Sequence, residues 1–253
     1  MRADLWLRGF HPAPEAPVRM VIFPHAGGSA SYFFTLSRLL APEVEVFVVQ
    51  YPGRQDRRRE PVRENVEILA KELVEELHPR DSKPTVFFGH SLGATVAFEV
   101  ARRLEQAGVG PAALWASARC APSDHRTHDI HLLDDEGIIA ELRRLSGTDT
   151  SLLDDKELLD TLMPAIRGDY KAAETYVYTP GPPLTCPVVG FVGDDDSRVR
   201  EADLLGWRDL TESGFELVHM PGGHFYPTDH PALTAEEFRT RLGSMDGLGT
   251  AEV

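Results

Sequence analysis

The pentapeptide Gly89-His90-Ser91-Leu92-Gly93 puts a serine where it could act as a nucleophile. It follows an apolar run that predicts a strand and precedes residues 94–104, which have a helical pattern. A G-x-S-x-G sequence between a strand and a helix is typical of a nucleophile elbow, a strained turn that exposes the serine hydroxyl. Glycine suits both flanking positions, because side chains there would crowd the strand and the helix that meet at the turn. The pattern therefore predicts covalent catalysis by Ser91.

A nucleophilic serine needs a base and a carboxylate that orients the base. In a site of this type they follow the serine in the order Asp or Glu, then His. The apolar run at residues 187–192 leads into Gly193-Asp194-Asp195-Asp196, which places carboxylates at the end of a predicted strand. We select Asp196 as the orienting residue, and we interpret its two neighbours as turn residues that bond the local backbone. His224 is the predicted base, because it follows a later predicted strand and a Gly-Gly turn.

The negative oxygen that forms during such a reaction needs two backbone N–H donors. One donor is the residue after the nucleophile, Leu92, and the other comes from the loop after an early strand. The predicted strand Val18–Phe23 runs into Pro24-His25-Ala26-Gly27-Gly28, and we select Ala26 as the second donor. The two glycines allow a tight turn that brings the loop amides close to a substrate. The alternative is a simple Gly-rich connection between a strand and a helix.

Composition excludes several other classes of protein. The chain has 253 residues, 42% of them hydrophobic, which suits a single domain with one sizeable core. Its formal net charge of −14 argues against nucleic acid and anionic membranes as partners. No apolar run has the length of a secretory signal or a membrane span, so we expect a soluble cytoplasmic protein. Cys120 and Cys186 have no metal-binding spacing, and we expect no metal site.

Arg54 and the run of three arginines at residues 57–59 are the exception in this acidic chain. They follow a predicted strand at residues 44–50, so they should lie at the carboxyl edge of the sheet, where Ser91 also emerges. Guanidinium groups there could bind a phosphate near the entrance of the site. The alternative is a solvated loop with salt bridges, which is the more common role of such a run.

Strand and helix patterns alternate along most of the chain, which predicts an α/β fold with a mostly parallel sheet covered on both faces. A short antiparallel edge strand is expected at residues 5–8. Between about residues 121 and 186 the pattern is helical instead, and Pro164 is predicted to open a new helix there. We interpret this segment as a helical lid over the site, although its apolar stripes could equally face the core. Residues 244–253 are predicted to be a disordered tail.

Two further motifs, Pro24-His25-Ala26-Gly27-Gly28-Ser29-Ala30 and Tyr51-Pro52-Gly53-Arg54, are more specific than the elbow. With the three catalytic segments they resemble the type II thioesterases that accompany polyketide synthases and nonribosomal peptide synthetases. The resemblance extends from about residue 5 to residue 242, and Leu92 departs from it where the family often has methionine. It implies an α/β-hydrolase fold with an inserted lid. The resemblance also implies the roles of the site residues. These are a catalytic triad of Ser91, Asp196 and His224, oxyanion donors at Ala26 and Leu92, and substrate contacts by His25, Gly27 and Arg54.

The resemblance also implies a function and a partner. Such an enzyme hydrolyses stalled or wrong acyl groups from the phosphopantetheine arm of acyl or peptidyl carrier proteins. It would need no cofactor beyond the arm that the substrate carries, and we expect a monomer. Two other functions fit the same residues: a small-molecule carboxylesterase or lipase on this fold, and a non-catalytic module that binds carrier proteins.

Overall fold

A seven-stranded sheet forms the centre of the molecule. The structure, a computed structural model, describes residues 5–77, 83–124, 126, 128–146 and 155–245. The strands in chain order are β1 (Leu7–Arg8), β2 (Val18–Phe23), β3 (Val44–Val49), β4 (Thr85–His90), β5 (Ala113–Ser117), β6 (Val188–Gly193) and β7 (Phe215–Met220). Their spatial order is β1-β3-β2-β4-β5-β6-β7, and β1 alone runs antiparallel to its neighbour. The predicted parallel sheet with an antiparallel edge strand is confirmed.

Helices cover both faces of this sheet. They are α1 (Phe34–Leu40), α2 (Val66–Leu77), α3 (Leu92–Gln106), α4 (Asp135–Ser146), α5 (Lys156–Thr175), α6 (Glu201–Leu204), α7 (Tyr226–Asp229) and α8 (Pro231–Ser244). One apolar cluster packs α2 and α3 against one face, and a second packs α1 and α8 against the other. In β4, for example, Phe87 belongs to the first cluster and Phe88 to the second. Burial on both faces explains why the central strands are almost continuously apolar.

Several boundaries agree with the sequence pattern. Strand β2 has the predicted limits, and helix α3 includes residues 94–104, which have the helical pattern. Between β6 and β7 the chain forms the short α6 followed by a 3₁₀ segment, Leu205–Leu210. Helix α8 extends to Ser244, at the first residue of the expected tail, and residues 246–253 lie outside the described part of the chain.

The segment between β5 and β6 is helical, as predicted, but Pro164 does not open a helix there. Helix α5 runs through that residue without interruption. A proline inside a helix removes one backbone hydrogen bond and normally destabilises it. Here the apolar residues on both sides of the proline are packed: Met163, Ile166 and Tyr170 form a cluster with Ile138 of α4. This packing stabilises a helix that the local sequence would interrupt.

None of the helices in the described residues is both long enough and apolar enough to cross a bilayer.

Candidate active site

Ser91 occupies the strained turn that the pentapeptide predicts. Its backbone has φ 53° and ψ −117°, an unusual conformation for a residue with a side chain. A Cβ on Gly93 would lie 1.9 Å from the carbonyl oxygen of Phe23, and a Cβ on Gly89 would lie 2.5 Å from the Cα of Ala94. Only glycines therefore let β4, α3 and the end of β2 meet at this point.

A chain of buried polar groups supports the elbow from inside the protein. The Ser91 N–H donates to the carbonyl oxygen of Ser117, at the end of β5, over 2.8 Å. The hydroxyl of Ser117 is hydrogen-bonded to His90 Nδ1 at 2.8 Å and to the Tyr226 hydroxyl at 2.7 Å. His90 is thus a structural residue, and burial keeps its pKa well below the ordinary value.

Asp196 and His224 form a buried pair on the loops that follow β6 and β7. His224 Nδ1 lies 2.8 Å from Asp196 Oδ2, and the exposed fractions of the two side chains are 0% for the aspartate and 2% for the histidine. The other carboxylate oxygen accepts from the N–H groups of Arg198 and Val199 at 2.8 and 3.1 Å. Burial raises the pKa of Asp196, but the hydrogen bond and charge of His224 and these two N–H groups outweigh it and hold the pKa below its usual range.

The ionised carboxylate determines which nitrogen of the imidazole acts as the base. A carboxylate can only accept a hydrogen bond, so Nδ1 of His224 must carry the hydrogen and donate it to Asp196. This leaves Nε2 as the free base, and His224 and Ser91 line the same cavity. No hydrogen bond joins the two side chains in this structure, and such bonds often tighten only when a substrate binds.

Ala26 and Leu92 also line this cavity, and their N–H groups are available to a ligand. Leu92 is the first residue of α3, so its N–H has no partner within the helix. Among the described residues neither of the two N–H groups donates to a protein acceptor. The structure thus brings both predicted oxyanion donors to the cavity wall beside Ser91.

His25 forms an apolar part of the cavity wall. Its ring packs edge-on against Tyr32 and Phe225, with ring centroids 4.4 and 5.0 Å away, and the residue is 7% exposed. Burial, the nearby charge of His224 and that of Arg54 lower the pKa of His25 to about 3. The imidazole is therefore neutral at physiological pH, and its Nδ1 has no hydrogen-bond partner among the described residues. Its place in the wall fits the predicted contact with substrate.

Gly27 and Arg54 have a different role from the predicted substrate contacts. The Gly27 N–H donates to Asp169 Oδ2 of α5 at 2.7 Å, so this amide is already satisfied by the protein. Arg54 is 2% exposed, and its guanidinium forms two parallel hydrogen bonds to the same carboxylate. A group buried in this way cannot meet a phosphate at the entrance. The sequence could not reveal this, because Asp169 lies 115 positions further along the chain.

The other arginines of the run differ in their exposure to solvent. Arg57 is buried, pairs with Glu60 at 2.7 Å and stacks on Trp6 with its guanidinium carbon 4.2 Å from the ring centroid. Arg58 and Arg59 are exposed. The predicted loop of salt bridges is thus present, but its main members are packed inside the protein.

Several cavity residues come from segments without a catalytic motif. Helix α4 contributes Leu142 and Leu145, and helix α5 contributes Tyr170 and Ala173. Two arginines, Arg119 after β5 and Arg198 after β6, complete the wall. Their position at the carboxyl ends of parallel strands is the signal that could have identified them. The cavity measures about 20 Å³, which is room for about one water molecule.

Fold and site together define an α/β-hydrolase, in which the nucleophile, acid and base follow β4, β6 and β7 in this order along the chain. The sequence profile of the thioesterase domain family matches residues 18–242, and the chain belongs to this family. Thioesterase PikA5 of Streptomyces venezuelae is 53% identical over 229 residues, a match that covers 90% of this chain and 82% of that protein.

Two solved structures show the same similarity. The type II thioesterase BorB from the borrelidin biosynthetic cluster is 46% identical, with a TM-score of 0.88 over 95% of this chain and 98% of that one. YbtT, a type II thioesterase from the yersiniabactin NRPS/PKS pathway, is 30% identical, with a TM-score of 0.86 over 97% of this chain and 100% of that one. These findings confirm the resemblance to type II thioesterases that the motifs indicated.

Proposed function

We propose that this thioesterase hydrolyses acyl groups from the phosphopantetheine arm of acyl or peptidyl carrier proteins, and so removes stalled or wrong acyl groups during biosynthesis. The observation that carries the proposal is the buried Asp196–His224 pair, which faces a cavity shared with Ser91 and two available N–H groups. The similarity to YbtT, a type II thioesterase from an NRPS/PKS pathway, supports the choice of carrier-bound substrate.

In the first half of the reaction, His224 Nε2 takes the proton of the Ser91 hydroxyl while Oγ attacks the thioester carbonyl carbon. The oxyanion of the tetrahedral intermediate accepts hydrogen bonds from the N–H groups of Ala26 and Leu92. When the intermediate collapses, the C–S bond breaks and the thiol leaves with the proton from His224. An acyl group remains on Ser91. A thiol leaves easily compared with an amine, so this step needs little help from a general acid.

In the second half, His224 removes a proton from water, and the resulting nucleophile attacks the acyl-serine. The intermediate again places its negative oxygen on the two N–H groups. Its collapse breaks the ester bond, returns the proton to Ser91 and releases the free acid. Asp196 remains ionised throughout and stabilises the imidazolium that forms twice. Each proposed step uses protein groups and water alone, without a cofactor.

The proposal is tested by comparing two substrates with the same acyl group. Wild-type protein should hydrolyse propionyl groups on a carrier protein faster than a simple propionyl ester, and Ser91→Ala should lower kcat by about 10⁶-fold. Labelling by a fluorophosphonate should occur in the wild type and be absent in the variant. Equal rates on the ester and the carrier thioester would favour a small-molecule esterase. Full function of the variant would instead indicate a non-catalytic binding module.

A further inference from the structure

A buried ion pair holds the loop that carries Ala26. The carboxylate of Asp169, on helix α5, accepts from Arg54 Nη1 at 2.6 Å and from Arg54 Nη2 at 2.8 Å. Its Oδ2 also accepts from the N–H of Gly27 at 2.7 Å. Arg54 Nη1 in turn donates to the carbonyl oxygen of Gly28 at 3.0 Å. The pair therefore contacts the backbone on both sides of Gly27.

These contacts restrict the backbone on the C-terminal side of the Ala26 N–H. Because a peptide unit is planar, a hydrogen bond at either end fixes the orientation of the whole unit. The unit that contains the Ala26 N–H is held through the His25 carbonyl oxygen, which accepts from the Gly28 N–H at 3.0 Å. The next unit is held through the Gly27 N–H by Asp169. Consecutive units are thus fixed on both sides of Ala26, while its own N–H stays available.

Helix α5 also packs directly on this loop. Gly27 has φ +75°, and a Cβ there would lie 2.8 Å from Cγ1 of Ile166, one turn before Asp169 on the helix. The glycine therefore allows both the turn and the close approach of the helix. As a result, the position of α5 and the geometry of the loop are linked by packing as well as by charge.

The burial of this pair is not explained by stability alone. Arg54 and Asp169 have exposed fractions of 2% and 1%. Removing two charges from water costs much of what their attraction returns, so an apolar pair of similar size is often as stable. A carboxylate differs from an apolar side chain in that it accepts hydrogen bonds from backbone N–H groups, which is how Asp169 contacts Gly27.

We propose that Asp169 is a positioning residue for the oxyanion hole: held by Arg54, it fixes the Ala26–Gly27 peptide so that the Ala26 N–H points at the developing negative charge. This inference rests on the proposed function, in which Ala26 is one of the two oxyanion donors. Losing an oxyanion donor entirely lowers kcat by about 10²–10³-fold. A loop that is free to turn should lose part of that, mainly in kcat, because the donor acts on the transition state more than on the bound substrate.

The test compares two double variants that both remove the charges, so that neither leaves a buried ion without a partner. Arg54→Gln with Asp169→Asn keeps an amide oxygen for the Gly27 N–H and an amide donor for Gly28. Arg54→Leu with Asp169→Leu removes both. Hydrolysis of the propionyl thioester of N-acetylcysteamine is measured, and kcat is expressed per active site. The active sites are counted in a separate sample that is labelled to completion with a fluorophosphonate. We expect the leucine pair to lower kcat by about 30- to 100-fold at a nearly unchanged KM, and the amide pair to retain most of it.

Glu99→Gln serves as a matched control. Glu99 is another buried carboxylate that ties the end of the helical segment to the body, since it accepts from the Tyr176 hydroxyl at 2.7 Å and from Arg102 at 3.0 Å. The Glu99→Gln substitution should lower the melting temperature without changing kcat per active site. Equal kcat values for the two double variants, whether both normal or both low, would overturn the inference. The proposed function fails on a different result, namely a wild type that does not hydrolyse thioesters or a Ser91→Ala variant that does.

Discussion

Asp194 and Asp196 are two positions apart, but their environments are opposite. Asp196 is fully buried against His224, whereas the Asp194 side chain is 56% exposed and lies 3.1 Å from His219 Nδ1 on the surface. The difference arises because the chain turns between them: the Asp196 N–H donates to the carbonyl oxygen of Gly193, so the third aspartate points back towards the site. Only one of these carboxylates can orient the base.

Asparagine at the two positions should therefore have very different effects. Asp196→Asn replaces an acceptor with a group that can donate to Nδ1, which favours the wrong tautomer of His224 and should lower kcat by about 10⁴-fold. Asp194→Asn should leave kcat close to the wild-type value. Steady-state hydrolysis of a carrier-bound thioester measures both. A larger loss with Asp194→Asn would show that the orienting residue is misassigned.

His25 makes the stability of the fold depend on pH. Its pKa is lowered to about 3 in the folded protein, compared with 6.5 for an exposed histidine. Above pH 6.5 both the folded and the unfolded state hold it neutral, so it contributes no pH dependence. Between pH 6.5 and pH 3 the unfolded state binds a proton that the folded state does not. The free energy of unfolding must therefore fall as the pH falls through this range.

Replacing His25 with an apolar ring should remove this loss. The free energy of unfolding is measured in urea at pH 7 and at pH 4.5. Its decrease from pH 7 to pH 4.5 should be about 2–3 kcal/mol smaller for His25→Phe than for the wild type, since one pKa unit corresponds to about 1.4 kcal/mol. His219→Gln, which removes an exposed histidine instead of a buried one, is the control. If the two variants lost the same amount as the wild type, His25 would not be a source of the acid sensitivity.

At the scale of elements, the elbow depends on how closely a helix approaches two strands. A Cβ on Gly93 would meet backbone atoms of Phe23 and Pro24, which belong to the end of β2 and the residue after it and cannot rotate away. Gly243 is the contrasting case: it lies in the last turn of α8, and a Cβ there would have nothing within 4 Å among the described residues.

Substitution by alanine should therefore change the stability of the protein in different directions at these two glycines. Gly93→Ala should destabilise the protein by about 3 kcal/mol or more, through overpacking at rigid backbone. Gly243→Ala should be neutral or stabilising by up to about 1 kcal/mol, because alanine has the higher helix propensity. Thermal unfolding of the two variants, followed by circular dichroism, measures both effects. Similar melting temperatures would contradict the close approach at the elbow.

At the scale of the whole molecule, helix α4 forms part of the cavity wall and is attached to the catalytic loop. Glu141 of α4 pairs at 2.6 Å with Arg198, two positions after Asp196, and the two side chains have exposed fractions of 11% and 12%. The cavity between these segments measures about 20 Å³, which is little room for a long acyl chain. We therefore expect Leu142 and Leu145 to shift when a long acyl chain enters.

Weakening this attachment should help large substrates more than small ones. Glu141→Gln loses the ion pair with Arg198, so kcat/KM should rise for long acyl thioesters and change little for the acetyl compound. The control is Glu237→Gln, which breaks an ion pair of the same 2.6 Å length with Arg241 on α8, a helix that contributes no residue to the cavity wall. A uniform change across chain lengths would show that α4 does not limit entry.

Local patterns in the chain were sufficient for the sheet and for the catalytic motifs. Alternating strands and helices follow from apolar periodicity, and the strand-turn-helix around Ser91 follows from the glycines that its geometry requires. Asp196 and His224 could be selected because parallel strands bring their carboxyl ends to one edge of a sheet. For these features the determining contacts join residues that are close in sequence, or they follow from the order of the strands in the sheet.

Only the tertiary structure decided which residues pair when they are far apart in the sequence. The partner of Arg54 is Asp169, on a helix whose continuity through Pro164 depends on packing against α4. A guanidinium after a strand has the same local sequence whether it meets a phosphate or a buried carboxylate. Its environment depends on which distant segment is folded over it, and this is why the role of Arg54 followed from the folded chain and not from the motif.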